Sequence, residues 1–172
     1  IEGLGDRVDM VVDGGPTRVG IESTVLSLVE TPPAILRPGV ISRRAIEEHI
    51  GPVSETFDAP SAGEARPSPG MSQRHYSPTT PVRLVDRDEI RRVADDERVR
   101  ETAVLLIDRD DDLAGRLPTV QRLPKDPDGY AEGLYHALYH LDASNCRQIL
   151  VESPPEDDAW NAVRDRLRRA AT

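Results

Sequence analysis

Arginine, histidine and tyrosine stand side by side at Arg74, His75 and Tyr76, inside the string SPGMSQRHYSP from Ser68 to Pro78. A guanidinium suits bidentate phosphate contact, and an adjacent imidazole and phenol can stack on a base or hydrogen-bond to a carboxylate or phosphate. Pro67, Pro69 and Pro78 block continuous helix and ladder pairing, and Gly70 admits backbone angles that other residues avoid. The three side chains are therefore presented by a loop rather than packed in an element, and the combination suggests a nucleotide. The alternative is a solvated interdomain linker whose aromatic residue docks on a neighbour.

Two further motifs could carry chemistry. GIESTV, Gly20 to Val25, puts Ser23 and Thr24 at the entry to a strand, where either hydroxyl could meet a ligand's polar group; ordinary strand capping and β-propensity would explain the same residues. LRPG, Leu36 to Gly39, places Arg37 at the end of an apolar strand with Pro38 and Gly39 turning the chain away. A strand-end arginine on a rigid turn can clamp a phosphate or carboxylate, and a plain surface ion pair is the competing explanation.

Other familiar sites are discounted. Lys125 is the only lysine and follows no glycine-rich phosphate loop, and no dinucleotide-type glycine fingerprint occurs. His136 and His140 have the spacing of a zinc pair, but no glutamate follows the first histidine. At 100° per residue, position 136 also lies roughly 200° around the helix from Leu134, so the pair should face water. Cys146 follows Asn145 in a polar turn with no activating neighbour. No metal ligands and no certain catalytic residue are assigned.

The elements that must position these residues fall into two groups. Val8 to Val12 reads as a buried strand closed by Asp13, Gly14, Gly15 and Pro16, followed by strands at Thr24 to Val29 and Ala34 to Leu36. Ser42 can cap a helix from Arg43 to Ile50 that stops at Gly51. So few elements cannot cover both faces of a sheet, so residues 1–57 are expected to be the end of a larger α/β domain. The chain also starts at Ile1 without methionine and enters a strand-like run almost at once, so something upstream is expected to be missing.

Residues 58–81 shift to Pro, Ser, Gly and Ala and read as a linker. From 82 to 172 strands alternate with helices: strands at Val82 to Val85, Ala103 to Ile107, Thr119 to Leu123 and Gln148 to Val151. The helices run from Asp88 to Val99 after an Asp86 cap, from Asp126 and Pro127 with Tyr130, Leu134, Leu138 and Leu141 on one stripe, and from Asp158 to Ala170. Alternation of this kind implies a mostly parallel, Rossmann-like βα unit. The acidic run from Asp108 to Asp112 reads as a solvated loop.

Bulk composition narrows the class. The 172 residues are 37% hydrophobic and only 3% aromatic, so the core must be aliphatic, as suits layered α/β packing. Basic residues number 22 against 31 acidic, a net charge of −9, which argues against stable nucleic-acid binding. A single cysteine, no visible signal peptide and no apolar run of about eighteen residues make a cytoplasmic location the expectation, with no membrane contact.

Taken in order, DGG at Asp13 to Gly15, GIESTV, ILRPG at Ile35 to Gly39 and APSAGEARPSPGMSQRHYSP from Ala59 to Pro78 resemble the two-domain form of the YrdC family. Those proteins are L-threonylcarbamoyladenylate synthases, which make the activated intermediate for threonylcarbamoyladenosine at position 37 of tRNA. The resemblance implies the C-terminal fragment of a YrdC-like α/β domain, a linker that acts as an active-site lid, and a small Rossmann-like accessory domain. It further implies ATP, L-threonine and bicarbonate as substrates, magnesium accompanying ATP, and a product passed to a tRNA threonylcarbamoyl transferase complex. By the same resemblance Ser23 and Thr24 would lie against L-threonine, and Arg37, Arg74, His75 and Tyr76 against ATP.

The chain departs from the family in lacking the portion expected to hold the triphosphate-binding lysine and arginine and a serine-asparagine motif. These residues alone are therefore expected to be inactive. The competing function is a non-catalytic nucleotide-sensing or protein-interaction module.

Overall fold

In the structure, a computed structural model, residues 7–15, 17, 19–55, 77–108 and 111–171 are described. Two sheets organise them. The first joins β1 (Val25–Ser27), β2 (Ala34–Arg37) and β3 (Ser54–Glu55), with β1 antiparallel and β3 parallel to the central β2. Helix α1 (Arg43–Ile50) lies between β2 and β3 in sequence. Ser42 Oγ accepts from the amide of Ala45, and Gly51 ends the helix at a φ of 83°, a left-handed angle that costs glycine nothing.

The second sheet contains β4 (Val82–Val85), β5 (Thr102–Ile107), β6 (Val120–Leu123) and β7 (Gln148–Glu152) in the order β4-β7-β5-β6, every pair parallel. Because side chains alternate along a strand, a run buried at every position must be covered on both faces, and β5 is such a run. Ala103, Leu105 and Ile107 face α4 (Pro127–Asp142) and α5 (Asn161–Ala170), in one cluster with Leu134, Leu138, Val163 and Leu167. Val104 and Leu106 face the other way, clustering with Ile90 of α2 (Arg87–Ala94) and Leu113 of α3 (Asp111–Gly115). The result is the expected mixed α/β architecture with a parallel four-stranded sheet.

Helix α4 follows its sequence signals closely. Asp126 accepts from the Gly129 amide at 2.7 Å, Pro127 occupies the first turn, and Tyr130, Leu134, Leu138 and Leu141 are all buried. Asp86 caps α2 in the same way, accepting from the Glu89 amide at 2.7 Å.

Several expectations need correction. Residues 8–12 form no strand; Val11 and Val12 are exposed, Val12 at 85%. Their apolar pattern fits a strand, but a strand also needs a ladder partner, and none of the described strands pairs with them. Helix α2 stops at Ala94 and gives way to a 3-10 turn at Glu97–Glu101, because Asp95 and Asp96 are poor helix formers and close the last turn instead. The last two residues of the segment read as a solvated acidic loop, Asp111 and Asp112, instead open α3, whose following Leu113 and Ala114 reach the core. β1 keeps only three residues of the longer strand expected, and the two-residue β3 has no sequence signal.

Candidate functional site

The site grows from the end of β2. Ala34 and Ile35 are buried, anchoring the strand so that Arg37 is delivered at its end. Pro38 and Gly39 then turn the chain across residues 22–24. The crossing is so close that a Cβ on Gly39 would stand 2.2 Å from the Thr24 nitrogen and 2.5 Å from the Ser23 carbonyl carbon. Glycine is required by that approach.

Within this joint the GIESTV and LRPG segments meet directly. Arg37 Nε donates to the Ser23 carbonyl oxygen at 3.1 Å and Nη2 to Ser23 Oγ at 3.4 Å. Nη1 lies 3.9 Å from Glu22 Oε1. Arg37 is only 8% exposed, so its guanidinium is built into the joint rather than swinging free at a rim. The Thr24 hydroxyl donates to the Ile41 carbonyl at 2.8 Å and pins the turn that follows Gly39. Ser23 and Arg37, separated by thirteen intervening positions in sequence, thus share one hydrogen-bonded unit.

A second layer comes from the four-stranded half. Arg166 of α5 sends Nε to Glu22 Oε2 at 2.5 Å and Nη2 to the Pro38 carbonyl at 3.2 Å. The Tyr135 hydroxyl of α4 donates to the same Glu22 oxygen at 3.4 Å. Burial alone would raise the Glu22 carboxyl, but the charge and hydrogen bond of Arg166, with a smaller contribution from Arg37, outweigh it and hold the group below its usual range. Burial and then the Glu22 charge push the Tyr135 phenol up to about 12. Ile21 joins the α4 and α5 core, and a Cβ on Gly20 would fall 2.1 Å from the Ala131 carbonyl oxygen. The GIESTV segment is therefore seated on both helices.

Arg74, His75 and Tyr76 lie outside the described residues. The points at which the chain departs and returns are described. It departs from β3, whose Glu55 pairs with Ile35 of the strand that carries Arg37. It returns at Ser77 and Pro78, which with Tyr135, Leu138, Tyr139 and Asp142 line a cavity of about 320 Å³. Asp142 fastens this return, accepting from the Thr79 and Thr80 amides at 3.0 and 2.9 Å and from the Thr79 hydroxyl. Burial raises the Asp142 carboxyl, and those hydrogen bonds more than offset it, leaving it below its usual range.

Sequence reading passed over Glu22, Tyr135 and Arg166. Glu22 lay inside a motif already singled out. Arg166 carried one signal: it sits between Val163 and Leu167 on the stripe that α5 buries, a position where an unpaired charge would be costly. His136 and His140 are exposed, as their helical phase implied, with Nε2 atoms 3.0 Å apart.

The fold and this joint define an α/β protein in which a small strand unit is clamped to a parallel βα half. Residues 41–172 match the family described as threonylcarbamoyl-AMP synthase, C-terminal domain, and the chain belongs to that family. It is 32% identical over 180 residues to the threonylcarbamoyl-AMP synthase of Bacillus subtilis (strain 168), covering 98% of this chain and 50% of the relative. Identity to the Pyrococcus abyssi (strain GE5 / Orsay) protein of the same name is 33% over 178 residues, covering 96% and 50%. The crystal structure of P. abyssi Sua5 complexed with L-threonine superposes with a TM-score of 0.82 at 32% identity, covering 98% of this chain and 51% of that one. The chain spans about half the length of the curated relatives it matches.

Proposed function

We propose that this chain supplies the C-terminal half of an L-threonylcarbamoyladenylate synthase, a nucleotidyltransferase that forms threonylcarbamoyl-AMP and pyrophosphate from L-threonine, bicarbonate and ATP. The observation that carries this reading is the likeness, along nearly the whole chain, to the structure of P. abyssi Sua5 complexed with L-threonine. The joint supports it by bringing Ser23 and Arg37 into one hydrogen-bonded unit. The threonine amine adds to bicarbonate with loss of water to give a carbamate. A carbamate oxygen then attacks the α-phosphorus of ATP and expels pyrophosphate.

In this reading Ser23 and Thr24 border the amino acid, and the Ser23 hydroxyl, already accepting from Arg37, is held in one orientation for it. Arg37 places positive charge beside the anionic reactants without being free to wander. The segment 58–81 serves as the lid, with Arg74, His75 and Tyr76 brought over the nucleotide to keep water from the carbamate and the mixed anhydride. We retain 1–57 as the strand unit and 82–172 as the accessory half. Magnesium enters as the counterion of ATP; among the described residues no cluster of three or more His, Cys, Asp or Glu gathers, and no step is assigned to the metal.

Exposed Val11, Val12, Leu28 and Val29 support the presence of a further covering half in the working enzyme, because an apolar surface of this kind favours burial. The adenylate would be handed to a separate tRNA threonylcarbamoyl transferase, for which an acidic carrier needs no basic tRNA face. We place the reaction in the cytoplasm with its ATP and tRNA; among the described residues no helix is long and apolar enough to cross a membrane.

The test is mass-spectrometric detection of threonylcarbamoyl-AMP when the full-length protein receives all three substrates. Arg37→Ala and Tyr76→Ala should each lower turnover. Absence of product, or unchanged kinetics in both variants, would favour the nucleotide-sensing or interaction module instead.

A further inference from the structure

Arg166 is 6% exposed and makes its contacts across the boundary between the two sheets. One guanidinium touches the residue before Ser23 and the residue after Arg37: Nε meets Glu22 at 2.5 Å, and Nη2 meets the Pro38 carbonyl at 3.2 Å. Glu22 in turn faces Arg37 at 3.9 Å and accepts from Tyr135. The guanidinium is itself held from behind: Nη1 contacts Asp165, which also takes two 2.9 Å bonds from Arg169.

We propose that Arg166 is a positioning residue for the synthase site: from the accessory half it fixes the spacing between Ser23 and Arg37, and so couples seating of that half to binding of L-threonine. The inference rests on the function proposed above for Ser23 and Arg37. Its physical basis is directional. Apolar packing around Ile21 would hold the halves together without specifying register, whereas a planar fork with acceptors on both flanks fixes distance and angle. Removing charges from water is costly, and an ion pair with one partner buried and the other part-buried is a poor choice for adhesion alone.

The experiment has two readouts. On this chain, NMR measures hydrogen exchange of the Arg37 Nε–H, which donates to the Ser23 carbonyl. Arg166→Met should speed that exchange about tenfold or more while amides of β5 and β7 keep their protection. Glu22→Gln should do the same, and serves in place of Arg166→Met should that variant fail to fold. On the full-length protein, steady-state kinetics should show KM for L-threonine rising about tenfold in Arg166→Met with a smaller change in kcat, as a loss of uniform binding requires. Arg166→Lys, which keeps the charge but cannot reach both flanks with a rigid fork, should recover only part of the loss.

Unchanged Arg37 exchange in the folded variants would overturn the positioning role whatever the activity. A threonine KM unchanged while exchange accelerates would overturn the coupling to substrate. If the wild-type full-length protein forms no threonylcarbamoyl-AMP, the functional reading fails, and the exchange measurement still decides whether Arg166 sets the joint.

Discussion

Gly39→Ala is the sharpest single perturbation of the joint. The added methyl carbon would begin 2.2 Å from the Thr24 nitrogen, and the atoms around it are backbone that cannot rotate away. To restore ordinary van der Waals contact, residues 22–24 and 37–39 must separate by roughly 1 Å. The Arg37 to Ser23 hydrogen bonds, now 3.1 and 3.4 Å, would then pass beyond hydrogen-bonding distance. At about 1 kcal/mol for each part-buried bond, the variant loses about 2 kcal/mol. That corresponds to a melting temperature lower by roughly 4–8 °C for a chain of this size. The catalytic loss should be larger, because a 1 Å misplacement of a positioning group costs on the order of a hundredfold in rate. The assay is calorimetry on the chain, paired with threonine-dependent pyrophosphate release by the full-length protein. Gly115→Ala, where a Cβ meets open space, is the matched control and should change neither. Wild-type stability and turnover in Gly39→Ala would show that the close approach is not part of the site.

The remaining expectations concern the joint's charge, the tether and the proposed covering half. Because the Glu22 carboxyl is held below its usual 4.5, its contribution to stability is complete above that value and is lost as pH falls through the lower folded value. Acid titration followed by Arg37 Nε–H exchange should therefore show loss of protection only below the ordinary carboxylate range, and Glu22→Gln should abolish that dependence. Asp142→Ala removes the acceptor for Thr79 and Thr80 and should cost about 1 kcal/mol, with faster proteolytic cleavage near residues 77–80. Cleavage at the wild-type rate would mean that Asp142 does not secure the returning chain. The 172-residue chain on its own should release no pyrophosphate above the ATP blank when given threonine and bicarbonate, and robust turnover would disprove the need for a second half.

Elements whose signals are local were legible in the sequence. Asp126, Pro127 and a stripe recurring every three to four residues define α4 because capping and amphipathicity act within one or two turns. β5 was legible because five consecutive apolar residues, Ala103 to Ile107, admit few alternatives in an alternating chain; the structure adds Thr102 at its start. The Val8–Val12 segment was misread for the converse reason: strand character depends on a partner, and local hydrophobicity does not supply one. The GIESTV and LRPG motifs were visible as strings, but their meeting was not. Ser23 and Arg37 are joined by a turn whose closeness only the Gly39 backbone reveals. Arg166 reaches Glu22 across 144 positions, and no local pattern encodes a contact of that range.

The most direct trial of the account is a crystal structure of the full-length protein with L-threonine and a non-hydrolysable ATP analogue bound together. The account predicts threonine against Ser23, and the analogue's phosphates between the Arg37 end of β2 and the returned Arg74, His75 and Tyr76. Ligands bound elsewhere, with Ser23 and Arg37 contacting neither and residues 74–76 turned into solvent, would contradict it.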